Sequence, residues 1–115
     1  MELLSYLAGL ASQVNSSAKL QNAVPSWSAI IQFEFPNEES FHLTIDQGKW
    51  RVDSGPHIKP TLVLQSQEVD LEPIFSGDID ISHFFAEGKM RVTKGQYLEA
   101  VNLSRVALAA KRQRR

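Results

Sequence analysis

Three runs of alternating apolar and polar residues in the first half of the chain constrain its fold more than any other feature. The runs cover Trp27 to Phe35, Phe41 to Ile45 and Trp50 to Val52. Such period-two alternation is typical of strands that bury one face and expose the other. The polar residues 36–39 and 46–49 separate the runs. Because short turns join neighbouring strands as hairpins, the sequence predicts an antiparallel three-stranded meander.

Helical patterns lie before and after this meander. Residues 2–15 repeat leucine and valine at helical spacing, and residues 18–24 predict a short second helix that ends before Pro25. Residues 61–65, T-L-V-L-Q, predict a fourth strand that is apolar on both faces in its middle. Two helices are therefore expected before the meander, and a fourth strand after it.

Two short helices are predicted after the fourth strand. Asp70 is expected to cap the first of them, which would place Pro73 in the first turn, where a missing N–H group costs nothing. Gly77 can end that helix in the left-handed conformation. Asp80 is expected to cap the second helix, which ends at Gly88.

A fifth strand and a long helix are predicted to close the chain. The strand covers Lys89 to Thr93, and Thr93 together with Gln96 has the spacing of a capping box. The helix that follows is expected to run to about Lys111. Its apolar face is expected along Tyr97, Val101, Ser104 and Leu108, broadened by Leu98, Leu103, Val106 and Ala110.

The order of these elements predicts the fold class. Helices, a strand meander, a fourth strand, short helices, a fifth strand and a long helix indicate an α+β domain. We expect a five-stranded, mostly antiparallel sheet with helices packed on one face. A chain of 115 residues is long enough for one hydrophobic core, so residues 1–115 are expected to form a single domain with a basic tail at 111–115.

Charge and composition exclude several classes of protein. The net charge is -1, but four of the twelve Lys and Arg lie in the tail, which leaves eight against thirteen Asp and Glu in the body. Such an acidic body argues against a nucleic-acid groove, which needs a basic surface. The absence of cysteine excludes a disulfide framework, a thiol nucleophile and a cysteine-ligated zinc ion. Because neither a bilayer-spanning apolar run nor a secretory signal is present, a cytoplasmic location is expected.

The sequence contains no recognisable catalytic pattern. It lacks a G-x-S-x-G elbow, and Gly88-Lys89 lacks the other residues of a phosphate-binding loop. Asp78, Asp80 and His83 could together ligate a metal, although helix capping explains Asp80 more simply. We therefore predict a protein that is not an enzyme and has no catalytic residues, bound metal or cofactor.

One segment of the C-terminal half resembles a known family. Gly77 is followed by Phe84-Phe85-Ala86-Glu87-Gly88-Lys89-Met90-Arg91-Val92, and this order resembles the sterol carrier protein type 2 domain, with similarity over about residues 20–110. The resemblance implies a sheet covered by helices that enclose an apolar tunnel, without catalysis. The implied ligands are fatty acids, fatty acyl-CoA, phospholipids and sterols or similar isoprenoid molecules. The residues implied to line the tunnel are Phe75, Phe84, Phe85, Met90, Val92, Leu98 and Val101, with Leu62 and Leu64 as further candidates.

Three features of the sequence can each be interpreted in two ways. Phe84 and Phe85 either line a ligand cavity or fill a closed core, which is the commoner arrangement in small domains. The chain either binds or transfers a lipid, or it is an accessory domain that docks or presents substrate to an enzyme of lipid or isoprenoid-quinone metabolism. The basic tail either contacts an anionic membrane or acyl-CoA phosphates, or it complements the dipole of the last helix. Its basic residues are Lys111, Arg112, Arg114 and Arg115.

Overall fold

The computed structural model describes residues 2–114, in which five helices and five strands follow one another in the predicted order. The helices are α1 (Glu2–Asn15), α2 (Ala18–Gln21), α3 (Glu68–Phe75), α4 (Ile81–Ala86) and α5 (Tyr97–Gln113). The strands are β1 (Ala29–Glu34), β2 (Phe41–Asp46), β3 (Lys49–Ser54), β4 (Leu62–Ser66) and β5 (Met90–Lys94).

The strands form one mixed sheet with the order β3-β2-β1-β4-β5. The pairs β1–β2, β2–β3 and β4–β5 are antiparallel, whereas β1 and β4 run parallel. The meander of the first three strands is therefore confirmed, and so is the α+β fold with a five-stranded, mostly antiparallel sheet.

The inner face of the sheet carries the apolar side chains of all five strands. Ile31 pairs with Leu43 on one side and with Leu62 on the other, and all three side chains are fully buried. The helices cover this face and contact one another, α1 with α3 and α5, and α5 with α3 and α4. The opposite face is polar, with Arg51 and Gln65 exposed. The helices thus pack on one side, as the pattern predicts.

The connection between β3 and β4 crosses the outer face of the sheet. The His57 N–H donates to Gln32 Oε1 at 2.9 Å, and the Thr61 N–H donates to the Ile30 carbonyl at 2.8 Å. Beneath this connection, His42 Nδ1 donates to the Gly55 carbonyl at 2.9 Å. Because the chain crosses the sheet before it returns, β4 enters beside β1 in the parallel direction.

The predicted start of α3 is wrong. The helix begins at Glu68, with Gln67 as a cap that makes no side-chain cap bond, and Asp70 lies inside the first turn. Pro73 is consequently the sixth of eight residues rather than part of the first turn. The acidic first turn explains the earlier start, because Glu68 and Asp70 both lie near the positive end of the helix dipole.

Asp80 caps α4 as predicted. Its Oδ1 accepts a hydrogen bond from the Ser82 N–H at 2.9 Å. Gly77, which follows α3, has a φ of 78° and so adopts the predicted left-handed conformation.

The predicted capping box of the last helix is wrong. Thr93 belongs to β5, and Gln96 is the cap residue of α5 without a side-chain cap bond. The intervening Gly95 has a φ of 93° and lies against the Thr61 carbonyl. The position of the turn between β5 and α5 is therefore determined by close contact between Gly95 and the backbone beside β4. Strand β5 consequently continues through Thr93, and α5 begins only after this turn.

The predicted apolar face of α5 is also wrong in part. Tyr97 and Leu98 are exposed, whereas the small residues Ala100 and Ala107, which the prediction left out, are buried. Ser104 is buried as predicted. Helices that approach closely need small side chains between their backbones, and α5 contacts all four of the other helices. The buried side of α5 consists of Ala100, Leu103, Ser104, Val106, Ala107 and Ala110.

Candidate functional site

The residues that the resemblance assigns to a tunnel wall meet under β4 and β5. Leu62 and Leu64 are fully buried on β4, and Met90 at the start of β5 is almost so. Phe75 at the end of α3 is also buried, and Phe84 in the middle of α4 is 7% exposed. All five side chains belong to one continuous apolar core.

The remaining assigned residues lie farther out. Phe85 and Val92 are half-buried and pack against the core from its edge. Val101 is half-buried and lines a surface cleft on α5. The Phe85 ring meets the Tyr97 ring edge to face, with 4.9 Å between the ring centroids. Leu98 is 62% exposed and points away from the core. The structure therefore brings seven of the nine predicted residues to the core or its edge, and it leaves Leu98 and the half-buried Val101 on the solvent-facing side of α5.

The side chains assigned to the tunnel wall fill the core among the described residues 2–114. Phe75 packs edge to face on Phe33, with 5.4 Å between the ring centroids. Phe84 packs against the same core. The roles of these residues in holding a ligand accordingly remain predictions.

Short helix α4 is attached to the rest of the molecule by few polar contacts. The Ile81 N–H donates to the buried Ser104 Oγ on α5 at 3.0 Å. At the other end, the Lys89 N–H donates to the Phe84 carbonyl at 2.9 Å, which closes the turn into β5. Apolar attachment comes from Ile81 and Phe84, the two buried side chains of this helix.

Two surface clefts flank α4 and the turn that follows it. One has a volume of about 440 Å³ and is lined by Phe84 and His83 among others. The second, of about 410 Å³, lies at the ends of β1 and β4 and is lined by Ser66, Phe35 and Gly88. Lys89 lines both clefts, so the turn from α4 to β5 separates them. The first cleft therefore opens beside α4 itself, and the second opens beside the turn that follows it.

The acidic residues near α4 have partners within the protein. Asp78 accepts hydrogen bonds from Lys111 and from Ser76 Oγ, and these two contacts hold the pKa of its carboxyl below the ordinary value of 3.8. Glu87 forms an ion pair with Lys89 at 3.0 Å and raises the pKa of that ammonium group. Within the described part of the chain, no three His, Asp or Glu side chains are grouped to hold a metal ion.

Sequence reasoning missed the role of Ser104. It was placed with the apolar face of α5, but its hydroxyl is a buried acceptor that links α5 to α4. A signal was available in the spacing of Ala100, Leu103, Ala107 and Ala110, which repeats every three or four residues and marks the closely packed side of the helix.

The basic tail contacts the body of the protein. Lys111 forms an ion pair with Asp78. Arg114 donates to Gln13 Oε1 at 2.6 Å and to the Ser76 carbonyl at 2.9 Å. Arg112 is exposed, and Arg115 lies outside the described residues. At least two of the four tail residues thus join the C-terminal end of α5 to α1 and to the loop after α3.

Comparison with known protein families decides the assignment. The profile of the SCP-2 sterol transfer family matches residues 8–106 of the chain. The chain belongs to this family. The match extends beyond the segment that carried the resemblance, because it includes more than half of α1 and the whole sheet.

Solved structures of sterol carrier proteins share this fold. The ubiquinone synthesis protein UbiJ-SCP2 has a TM-score of 0.73 at 14% identity, with 90% of this chain and 86% of that chain covered. Sterol carrier protein domain 2 of Helicoverpa armigera has a TM-score of 0.66 at 21% identity, covering 93% and 86%. Sterol carrier protein 2 of Yarrowia lipolytica has a TM-score of 0.64 at 16% identity, covering 94% and 88%. At such low identities the likeness concerns the fold alone.

The curated proteins and the lengths of the helices add two further findings. No curated protein matches the chain by sequence. None of the helices among residues 2–114 combines the length and the apolar character that are needed to cross a bilayer.

Proposed function

We propose that this protein binds or transfers a lipid without catalysing a reaction on it. The observation that carries the proposal is the apolar cluster that Phe84 of α4 forms with Leu64, Phe75 and Met90, with one open cleft beside α4 and another beside the turn that follows it. Membership of the SCP-2 sterol transfer family supports the same function. The ligand class is a fatty acid, fatty acyl-CoA, phospholipid or sterol-like isoprenoid molecule.

The apolar character of the cluster is sufficient for useful affinity. Burial of one CH₂ group contributes about 0.8 kcal/mol, so ten methylenes contribute roughly 8 kcal/mol before costs. Association and ordering remove several kcal/mol, which leaves an affinity near the micromolar range. Few polar contacts are then needed, and we expect the protein to accept acyl chains of different length.

Ligand binding requires α4 to move. Phe84 occupies the core in the present arrangement, so an acyl chain must displace its ring and widen the space beneath β4 and β5. Helix α4 has six residues and is attached by one buried hydrogen bond to α5. Outward movement of α4, rather than of the sheet, is therefore our proposed route of ligand access.

The first experiment is native mass spectrometry of freshly purified protein, followed by lipid analysis of the same sample after denaturation. We expect a stoichiometric adduct with the mass of an acyl or isoprenoid lipid, either as purified or after addition of palmitic acid. A protein that keeps its bare mass under both conditions would mean that Phe84 and Phe85 fill a permanently closed core.

Two tryptophan substitutions test where the lipid lies. Val92 on β5 and Val52 on β3 are both half-buried valines that pack against the core, but they lie on opposite edges of the sheet. We expect Val92→Trp to lower the affinity for palmitic acid about tenfold or more, because the larger ring fills the space beneath α4. Val52→Trp is the matched control and should leave the affinity unchanged. Equal effects of the two substitutions would contradict the proposed location.

A second candidate function is an accessory domain that presents a substrate to an enzyme of lipid or isoprenoid-quinone metabolism. The observation that favours it is the shared fold with the ubiquinone synthesis protein UbiJ-SCP2 over 90% of this chain. The two functions differ in whether a partner protein is needed. A partner enzyme that co-purifies with the protein after all lipid has been removed would favour the accessory role.

A further inference from the structure

The solvent-facing side of α5 combines apolar residues with arginines. Leu98, Val101, Arg105 and Leu108 follow one another at intervals of three or four residues, and Arg112 continues the series. Such spacing places them on one side of the helix over about 21 Å. This side lies opposite the buried alanines, and we call these five residues the α5 outer face.

The α5 outer face is accessible along its length. Leu98 is 62% exposed, Arg105 and Arg112 are exposed, and Val101 and Leu108 are half-buried. Four of the five residues line one shallow cleft of about 230 Å³. Tyr97 adds an exposed aromatic ring at the start of the helix, steadied by its contact with Phe85.

The arginines of this face have no ion-pair partners among residues 2–114. Neither Arg105 nor Arg112 takes part in the salt bridges of the described chain. Asp80 lies in the same cleft, but its Oδ1 already accepts the cap hydrogen bond from Ser82. The basic charge of the face is thus available to an anionic surface, although the body of the protein is acidic overall.

We propose that the α5 outer face, together with Tyr97, docks onto an anionic lipid bilayer. Apolar and aromatic side chains beside arginines are the composition of helices that lie flat in a bilayer surface. The choice of a bilayer rather than an acidic protein rests on the proposed function, because a lipid that is nearly insoluble must be exchanged with a membrane.

This surface differs from the docking site that the basic tail suggested. Lys111 pairs with Asp78, and Arg114 donates to Gln13 and Ser76, so these two side chains are engaged within the protein. Arg112 alone among the described tail residues belongs to the α5 outer face.

Vesicle sedimentation tests the proposal. The full-length protein is mixed with vesicles of phosphatidylcholine containing phosphatidylglycerol, and with vesicles of phosphatidylcholine alone, at low and high salt. We expect binding to the anionic vesicles only, weakened by salt. Each cation near an anionic surface increases the binding constant by a factor of about five. Arg105→Glu changes the charge by two units, so it should weaken vesicle binding about thirtyfold. Leu98→Ser should weaken it about tenfold.

Two exposed residues on the outer face of the sheet supply matched controls. Lys59→Glu makes the same change in net charge as Arg105→Glu, and Ile58→Ser removes an apolar side chain that is 94% exposed. Both lie in the connection between β3 and β4, away from α5. We expect each control to change vesicle binding by less than about twofold.

Each result supports or overturns the docking surface. Equal effects of Arg105→Glu and Lys59→Glu, or a wild-type protein that binds no vesicles, would overturn the proposal. It would also be overturned if the protein were a dimer that Leu98→Ser converts to a monomer without loss of vesicle binding. Uptake of palmitic acid is measured separately in the same variants and should be unchanged. A protein that binds vesicles but takes up no lipid would refute the proposed function and leave the docking surface intact.

Discussion

Gly95 lies where the chain leaves β5 and turns into α5. Its φ is 93°, and a Cβ atom at this position would lie 2.3 Å from the Thr61 carbonyl oxygen. Gly88, at the turn from α4 to β5, has a similar φ of 74° but no atom within 4 Å of such a Cβ. Alanine at Gly88 would therefore meet only the cost of a left-handed backbone, whereas alanine at Gly95 would also meet a steric clash.

We expect Gly88→Ala to lower the free energy of unfolding by about 1–2 kcal/mol, which is the cost of the left-handed conformation alone. Gly95→Ala should lower it by about 3 kcal/mol or more, because the new methyl group also collides with backbone. Urea unfolding of both variants measures the difference. Similar losses would mean that the contact between the turn and Thr61 can relax.

At the scale of elements, α4 depends on a hydrogen bond that the sequence did not suggest. The Ile81 N–H at the start of α4 is buried and donates to Ser104 Oγ. Removal of the hydroxyl leaves this donor without an acceptor, which costs more than the net contribution of the bond itself. Ser104 therefore stabilises the helix that we propose moves when a lipid enters.

We expect Ser104→Ala to lower the free energy of unfolding by about 1–3 kcal/mol and to speed amide hydrogen exchange in α4. Ser82→Ala, an exposed substitution on α4 itself, is the control and should change stability by less than about 0.5 kcal/mol. Faster exchange throughout the sheet, rather than in α4, would show that Ser104 acts on the whole fold instead.

At the scale of the whole molecule, lipid binding and folding are linked. A ligand that binds only the folded state stabilises it by about 2.7 kcal/mol when its concentration is a hundred times the Kd. For a domain of this size, we expect saturating palmitic acid to raise the Tm by roughly 10 °C. Differential scanning calorimetry measures the shift, and Val92→Trp, with a tenfold weaker affinity, should reduce it to about half at the same palmitic acid concentration. A fall in Tm with palmitic acid would indicate binding to the unfolded chain.

The strands and the fold class followed from local patterns. Phe41, Leu43 and Ile45 alternate with polar residues, and this alternation exists only if one face of the strand is buried. Asp80 was likewise predictable as a cap, because its role involves only the N–H group two residues later. The family segment from Phe84 to Val92 could also be recognised from its residues.

Other features depend on contacts between distant segments. The start of α5 follows from the approach of Gly95 to Thr61, and no residue near Thr93 could reveal that approach. The exposure of Leu98 depends on how α5 is rotated against α1, α3 and α4. For the same reason the sequence assigned Leu98 to a cavity, whereas the structure places it on the outer face of the helix.

By itself, the sequence determined the order of the elements, the face of each strand of the meander that is buried, and membership of a lipid-related family. The tertiary structure decided that β4 runs parallel to β1, which side of α5 is buried, and that Phe84 packs within the core. The physical reason is the range of the interactions. Periodicity and capping act within a few residues, whereas helix rotation and strand direction depend on how closely surfaces far apart in the chain can pack.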